Sequence, residues 1–417
     1  MKSGGDGEGA FFGVPGWQGL SLCAIMGWIL LSSALGLTQK IRSLVQPWVS
    51  RRVASETPLV LFIQSADHVL LDTFFSVLSC IVSVPFYTGF LPLLFWSEHG
   101  KLARQMTLLM AFCDYVGNAM KDLVSAPRPS SPPVRRITAT KDEKENAMEY
   151  GLPSSHALNT VCLSGFLLHY MIANGLQKDA SNVIYIGISL VFLLVALIGL
   201  GRIYLGMHSF IDVLGGIGLG ITILSFWINV YGYVDDFIIS GQNVTSFWAG
   251  LSLLLLFAYP TSELPTPSFE YHTAFTGVAF GIVSGVQQSS LHLSYGGAPR
   301  MLPSELTPSI LLGRLLLGLP IILVVKFCSK ALAKWSLPIL CNALGIPIRS
   351  SCYVPGLKAP GSNEKPESKQ LSSLHKISAL SPQEPFDVDT GIRFLQYAGL
   401  GWSVVDLVPS LFAHLRL

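Results

Sequence analysis

Three short segments hold the residues whose types and spacing could do chemistry. In KDLVSAPRPSSPPVRR, Lys121 is followed after six residues by Arg128-Pro129. Two cations and a run of helix-stopping prolines suit an anion held at a stiff loop. In EYGLPSSHALN, residues 149–159, Pro153 and Ser154 predict a helix start. The free backbone N–H groups of Ser154 and Ser155 at such an end bind phosphate or another oxyanion, and His156 in the first turn can donate a proton to the bound group. In GRIYLGMHSFIDVLGG, residues 201–216, Arg202 precedes His208 and Asp212. If a helix begins near Met207, His208 and Asp212 share one face, the carboxylate holds one imidazole N–H, and the other ring nitrogen is free to attack. Each segment alone has a plainer reading. Basic residues at span ends anchor to the interface, a histidine there is a polar boundary residue, and a His–Asp pair can be a structural cap.

The elements that must position these groups are membrane helices. The chain has 417 residues, of which 50% are hydrophobic and 12% charged, with mean hydropathy +0.52; soluble proteins carry about 25% charged residues. A water-soluble enzyme is excluded, and a formal charge of +2 with no basic arm gives no sign of a nucleic-acid partner. Windows such as Thr73–Ser97, Ala180–Gly201 and Val213–Val234 contain no charge and meet the span length of about 20 residues. The prediction is an all-α, polytopic membrane bundle of eight to ten transmembrane helices. Further spans are placed near 18–37, 104–121, 156–177, 246–260, 272–289 and 308–327, and less firmly at 331–346 and 392–412. The predicted organisation is an N-terminal region 1–103 with the first spans, a catalytic core 104–235, additional helices 236–350, a polar mobile loop 351–391 and a hydrophobic segment 392–417. The seven cysteines show no CxxC and read as small hydrophobes. If each span crosses once, the loops at 121–155 and 202–209 emerge on one side. The three segments then converge on one membrane face.

In that order and across those spans, Lys-x6-Arg-Pro, Pro-Ser-x-His and Arg-x5-His-x3-Asp resemble the lipid phosphate phosphatase (type 2 phosphatidic acid phosphatase) superfamily. RPSSPP, PSSHALN, RIYLGMHSFID and, at 265–275, PTPSFEYHTAF are most similar to its sphingosine-1-phosphate, or long-chain-base-phosphate, phosphatase branch. Two positions depart from the superfamily pattern. Ser155 stands where Gly is usual, and Gly201 stands where Ser usually precedes the arginine, so a hydroxyl contact to phosphate is expected to be missing.

The resemblance implies a phosphoric monoester hydrolase. Lys121, Arg128, Arg202 and the Ser154 and Ser155 amides would bind phosphate, His208 oriented by Asp212 would attack phosphorus, and His156 would serve as general acid and then base. Three protein cations stand where other phosphoryl-transfer sites use metal ions, so neither metal nor cofactor is expected. Short loops and a site at span mouths point to a lipid whose tail stays in the bilayer, and the resemblance to the long-chain-base branch implies a sphingoid base phosphate. Glu270 or Glu149 is the expected partner of its amine. Phosphatidate, polyprenyl diphosphate and glucose 6-phosphate are the alternative substrates. The rival classes are an inactive lipid-binding relative and a transporter, the latter disfavoured because the span middles are read as free of carboxylates. The positive-inside rule puts the site in the cytosol; the resemblance implies the endoplasmic reticulum membrane with a lumenal site, and that reading is followed.

Overall fold

The computed structural model describes residues 15–138, 140–175, 181–294, 307–346 and 387–417. Helices account for the described architecture: α1 Gly16–Ala34, α2 Leu37–Gln64, α3 Val69–Cys80, α4 Val84–Trp96, α5 Gly100–Val124, α6 Lys141–Asn146, α7 Ser155–Gly175, α8 Ser181–Tyr204, α9 Phe210–Ser240, α10 Val244–Ala258, α11 Ser268–Ser294, α12 Pro308–Ala343 and α13 Val388–Trp402, which continues through a π-helical turn into α14 Val408–Leu415. Among the described residues six segments are long and apolar enough to cross a membrane, α1, α7, α8, α9, α12 and α13–α14, and the bent pair α2–α3 would make a seventh if taken as one span. The chain is an all-α, multi-pass membrane protein. α4 and α10 are shorter apolar helices. α5 and α11 are long, at 25 and 27 residues, but carry polar side chains along their lengths that turn out to face the interior.

The centre of the bundle is α5, against which α7, α9 and α11 pack. Leu109, Cys113, Leu158, Phe166, Ile223 and Ile282 from these four helices interlock there, while α8 turns Tyr185, Ile186 and Phe192 outward, as a face toward lipid would. α11, assigned by sequence to the additional helices, thus completes the same core as 104–235. The six described cysteines are free, and Cys352 and most of the 351–391 loop lie outside the described residues.

Several predicted spans have different limits. The uncharged window Thr73–Ser97 breaks into α3 and α4 because Ser83 caps α4, its hydroxyl accepting from the Phe86 N–H, with Pro85 in the first turn. The stretches 308–327 and 331–346 are one 36-residue helix. α2 meets α3 at a 120° bend and runs across the mouths of the bundle. Its Arg42 donates to the Asp122 carbonyl, Gln46 to the Ser125 carbonyl and Gln64 to the Tyr204 carbonyl, while Glu56 accepts from the Ile211 N–H. α2 is therefore a strap over the ends of α5, α8 and α9.

Candidate active site

Each predicted segment is held by a helix terminus. α5 ends because Ser125 adopts a left-handed conformation, φ 52°, its N–H returning to the Lys121 carbonyl at 2.8 Å; Lys121 is thus left in the last turn, 2% exposed. The same terminus is locked by Asp122, which accepts from Tyr259 at 2.7 Å and Thr266 at 2.8 Å. α7 starts at Ser155 after Pro153-Ser154, with the Leu158 N–H on the Ser154 carbonyl. α9 starts at a capping box in which Ser209 and Asp212 exchange side-chain and backbone hydrogen bonds.

These termini bring Lys121, Arg128, Ser155, His156, Arg202 and His208 onto one cavity of about 1120 Å³. An Arg128 N–H donates to His208 Nε2 at 2.9 Å. Arginine can only donate, so Nε2 holds the lone pair and the ring proton sits on Nδ1, which faces Asp212 Oδ2 at 3.7 Å. That separation exceeds a hydrogen bond, as is common in unliganded catalytic sites. Burial, followed by the neighbouring Arg128, Arg202 and Lys121 charges, holds the His208 pKa well below the usual imidazole value. A neutral imidazole with a free-standing Nε2 lone pair is a nucleophile once Arg128 moves to a different acceptor.

His156 Nε2 lies 3.3 Å from the Ser79 hydroxyl. Ser79 accepts from Arg202 at 2.7 Å and donates to Glu143 at 2.9 Å. With its one proton on Glu143, Ser79 accepts from His156, which places a proton on Nε2, the atom from which the ring donates as a general acid once it is also protonated on Nδ1. Arg202 of the cavity wall has its Nε buried without a partner, as are the Ser154 hydroxyl and Asp212 Oδ1 at the adjoining helix starts. Buried polar groups are normally paired, and an anion in the cavity would offer Arg202 an acceptor.

Four expectations need correction. His208 and Asp212 do not share a helical face, because Ser209 caps α9 and leaves His208 outside the helix, with Asp212 at its third position. The Ser154 N–H donates to the Asp212 carbonyl at 2.9 Å, so its hydroxyl, not its amide, is available, while Ser155 lines the cavity at the helix start. Glu149 forms an ion pair with Lys121 and lies 3.8 Å from Arg128, and Glu270 pairs with Arg393 of α13; neither carboxylate is open to a ligand amine. Finally, the span middles are not free of carboxylates, since Asp114 of α5 lines the cavity. Asp114 sits one and two turns from Asn118 and Lys121 on the same helical stripe, the signal the sequence offered.

Gly201 now has a physical reason. A Cβ there would meet the Phe75 ring at 2.8 Å. Phe75 and Ser79 are one turn apart on α3, so the helix that requires glycine at 201 also delivers a hydroxyl to Arg202. Ser79 and Glu143 carried no motif and were not legible. Among the described residues no cluster of three or more His, Cys, Asp or Glu groups converges as metal ligands would.

Residues 102–236 match the PAP2 superfamily. The chain is 61% identical, over 96% of its length and 97% of the relative's, to lipid phosphate phosphatase delta of Arabidopsis thaliana. It is 30% identical, over 93% and 94%, to a dihydrosphingosine 1-phosphate phosphatase of Schizosaccharomyces pombe. With sphingosine-1-phosphate phosphatase 1 of Mus musculus it shares 26% identity over 80% and 69%. No solved structure matches the chain. The chain belongs to the PAP2 superfamily, and it is a membrane-bound phosphatase.

Proposed function

We propose that the protein hydrolyses long-chain (sphingoid) base 1-phosphates at the bilayer surface. The observation that carries this reading is the shape of the cavity. From the cations it continues along the stripe Lys121, Asn118, Asp114, Met110 and Thr107 of α5, between apolar walls from α4, α11 and α13. Fourteen residues of helix correspond to a groove about 21 Å long. Such a space receives a phosphate at one end and hydrocarbon along its length. The relatives named for sphingosine and dihydrosphingosine phosphates support the same substrate class, and an endoplasmic reticulum membrane is proposed with it.

In this mechanism the incoming phosphate displaces the Glu149 and Glu143 carboxylates from Lys121, Arg128 and Arg202, and draws the Arg128 donor off His208 Nε2. Nε2 then attacks phosphorus in line, Asp212 stabilises the positive ring through Nδ1, and His156 passes its Nε2 proton to the leaving alkoxide. Water, deprotonated by His156, then cleaves the phosphohistidine. Arg202 Nε, on the cavity wall and without a partner, donates to an equatorial oxygen. Lys121, Arg128 and Arg202 supply the charge that offsets the phosphate, so the reaction proceeds in EDTA.

The test is phosphate release in detergent micelles from sphingoid-base phosphate, phosphatidate, polyprenyl diphosphate and glucose 6-phosphate, each with and without EDTA. The proposal expects the sphingoid-base phosphate to be turned over fastest and EDTA to leave the rate unchanged. Faster release from phosphatidate, or loss of activity on chelation, would overturn it.

A further inference from the structure

We infer that Asp114, supported by Asn118, is the group that binds the substrate's ammonium and sets the preference for an amino-alcohol phosphate. The inference rests on the long-chain-base reading above and names a residue for it.

Asp114 lies on α5 within the cavity wall, seven residues before Lys121 and four before Asn118. The axial separation from Lys121 is about 10 Å between backbones. Side chains on a helix lean toward its N-terminus, so the long Lys121 side chain reaches back toward the Asn118 and Asp114 turns, and Asp114 is within electrostatic reach of Lys121 and Glu149. A phosphate held at Lys121 therefore places the next carbons of the lipid beside Asn118 and Asp114. In a long-chain base phosphate the amine is on the carbon adjacent to the phosphate-bearing one.

The carboxylate is half satisfied. Oδ1 accepts from the Asn118 amide at 3.0 Å, and Oδ2 is buried with no hydrogen-bond partner. An ionisable side chain inside a span without a partner marks a functional position, and a buried acceptor with an open lone pair calls for a donor. At rest Glu149 pairs with Lys121 and Arg128, and Glu143 with Ser79 and Arg202, both at the phosphate end, while Asp212, whose Oδ2 accepts from the Ser209 N–H, is not on the cavity wall. Among the described residues, Asp114 lines the cavity on the α5 stripe beyond the phosphate end and has a buried oxygen with no hydrogen-bond partner. Asn118 orients it by holding Oδ1, so Oδ2 is free for the ammonium. A lipid phosphate without an amine gains nothing from Oδ2, and the preference is that difference.

The experiment compares kcat/KM for a long-chain base phosphate, its N-acetylated form and octadecyl phosphate, which lacks the amine, in wild type, Asp114→Asn and Asp114→Glu. The expected result is a fall of about tenfold or more for the amine substrate in Asp114→Asn, with octadecyl phosphate changed less than about twofold and serving as the folding control. Asp114→Glu, which keeps the charge, should retain part of the preference, and the N-acetylated lipid should be indifferent to Asp114→Asn. An unchanged ratio in Asp114→Asn, or an equal fall on all three lipids, overturns the role of Asp114. A wild type that shows no preference for the amine lipid overturns the substrate reading itself, a separate result from either of those.

Discussion

The two ends of α5 each bury an ion pair, and they differ in what surrounds it. Near the N-terminal end Arg104 meets Asp235 of α9 at 2.6 Å, through both Nε and NH2, away from the cavity. At the C-terminal end Lys121 meets Glu149 on the wall of the cavity, which Arg202, its Nε without a partner, also lines. Burial and pairing are common to both. Open hydrogen-bonding capacity next to empty space is found at one, and that is what separates a site from a brace. On the proposed mechanism, the Lys121–Glu149 pair is a resting arrangement in which a carboxylate stands where a phosphate oxygen will come.

Substitutions can break this contrast. The largest expected effect is at the nucleophile: His208→Ala should lose turnover by a factor on the order of 10⁴ or more, with membrane insertion and thermal stability in detergent near wild type. His156→Ala should cost roughly 10²–10⁴ in kcat, and the loss should shrink for a substrate whose leaving group is an activated phenol, because such a group departs without protonation. At the other end of α5, Arg104→Ala should leave specific activity within about twofold. It leaves Asp235 buried without its partner, and such losses are worth about 3–5 kcal/mol, read as a fall in thermal stability in micelles. Full activity loss in Arg104→Ala without loss of stability would erase the distinction between brace and site.

Two smaller effects sharpen it. Gly201→Ser, which restores the hydroxyl usual in the superfamily, should reduce activity because its Cβ meets the Phe75 ring. Phe75→Ala in the same chain should recover part of the loss, a non-additive pair measurable in a double-mutant cycle. The pH dependence gives the last. His208 must be neutral to attack, and its pKa is held well below 6.5 by burial and the adjacent cations. Its neutral form therefore persists as pH falls through 6.5. Corrected for titration of the substrate phosphate, the acid limb of kcat/KM should lie below 6.5, and a limb at or above that value would contradict the arrangement.

The residues that span spacing could locate were legible. Lys121, Arg128, His156, Arg202 and His208 each sit in a short motif at a span mouth, and counting crossings was enough to put them on one face. Where a helix begins was harder to read. The S-x-x-D box at Ser209 fixes the start of α9 at Phe210, three residues later than Met207 suggests, which changes how Asp212 can hold His208. Ser79 was hidden because its window looked like one continuous span, and only the cap at Ser83 turns α3 back onto Arg202. The strap α2 was hidden by a mixture of charged and apolar residues with no single period. Asp114 was visible as a letter, but a carboxylate inside an apolar window gains meaning only from the cavity it faces.

The central claim is covalent catalysis by His208 on a lipid phosphate. It is tested most directly by mixing the purified protein with ³²P-labelled long-chain base phosphate in EDTA, quenching within the first turnover, and assaying the chain for acid-labile, base-stable label. The account predicts a phosphohistidine that maps to the peptide containing His208 in wild type and no label in His208→Ala. Label retained in His208→Ala, or turnover in wild type with no covalent phosphate at any quench time, would contradict it.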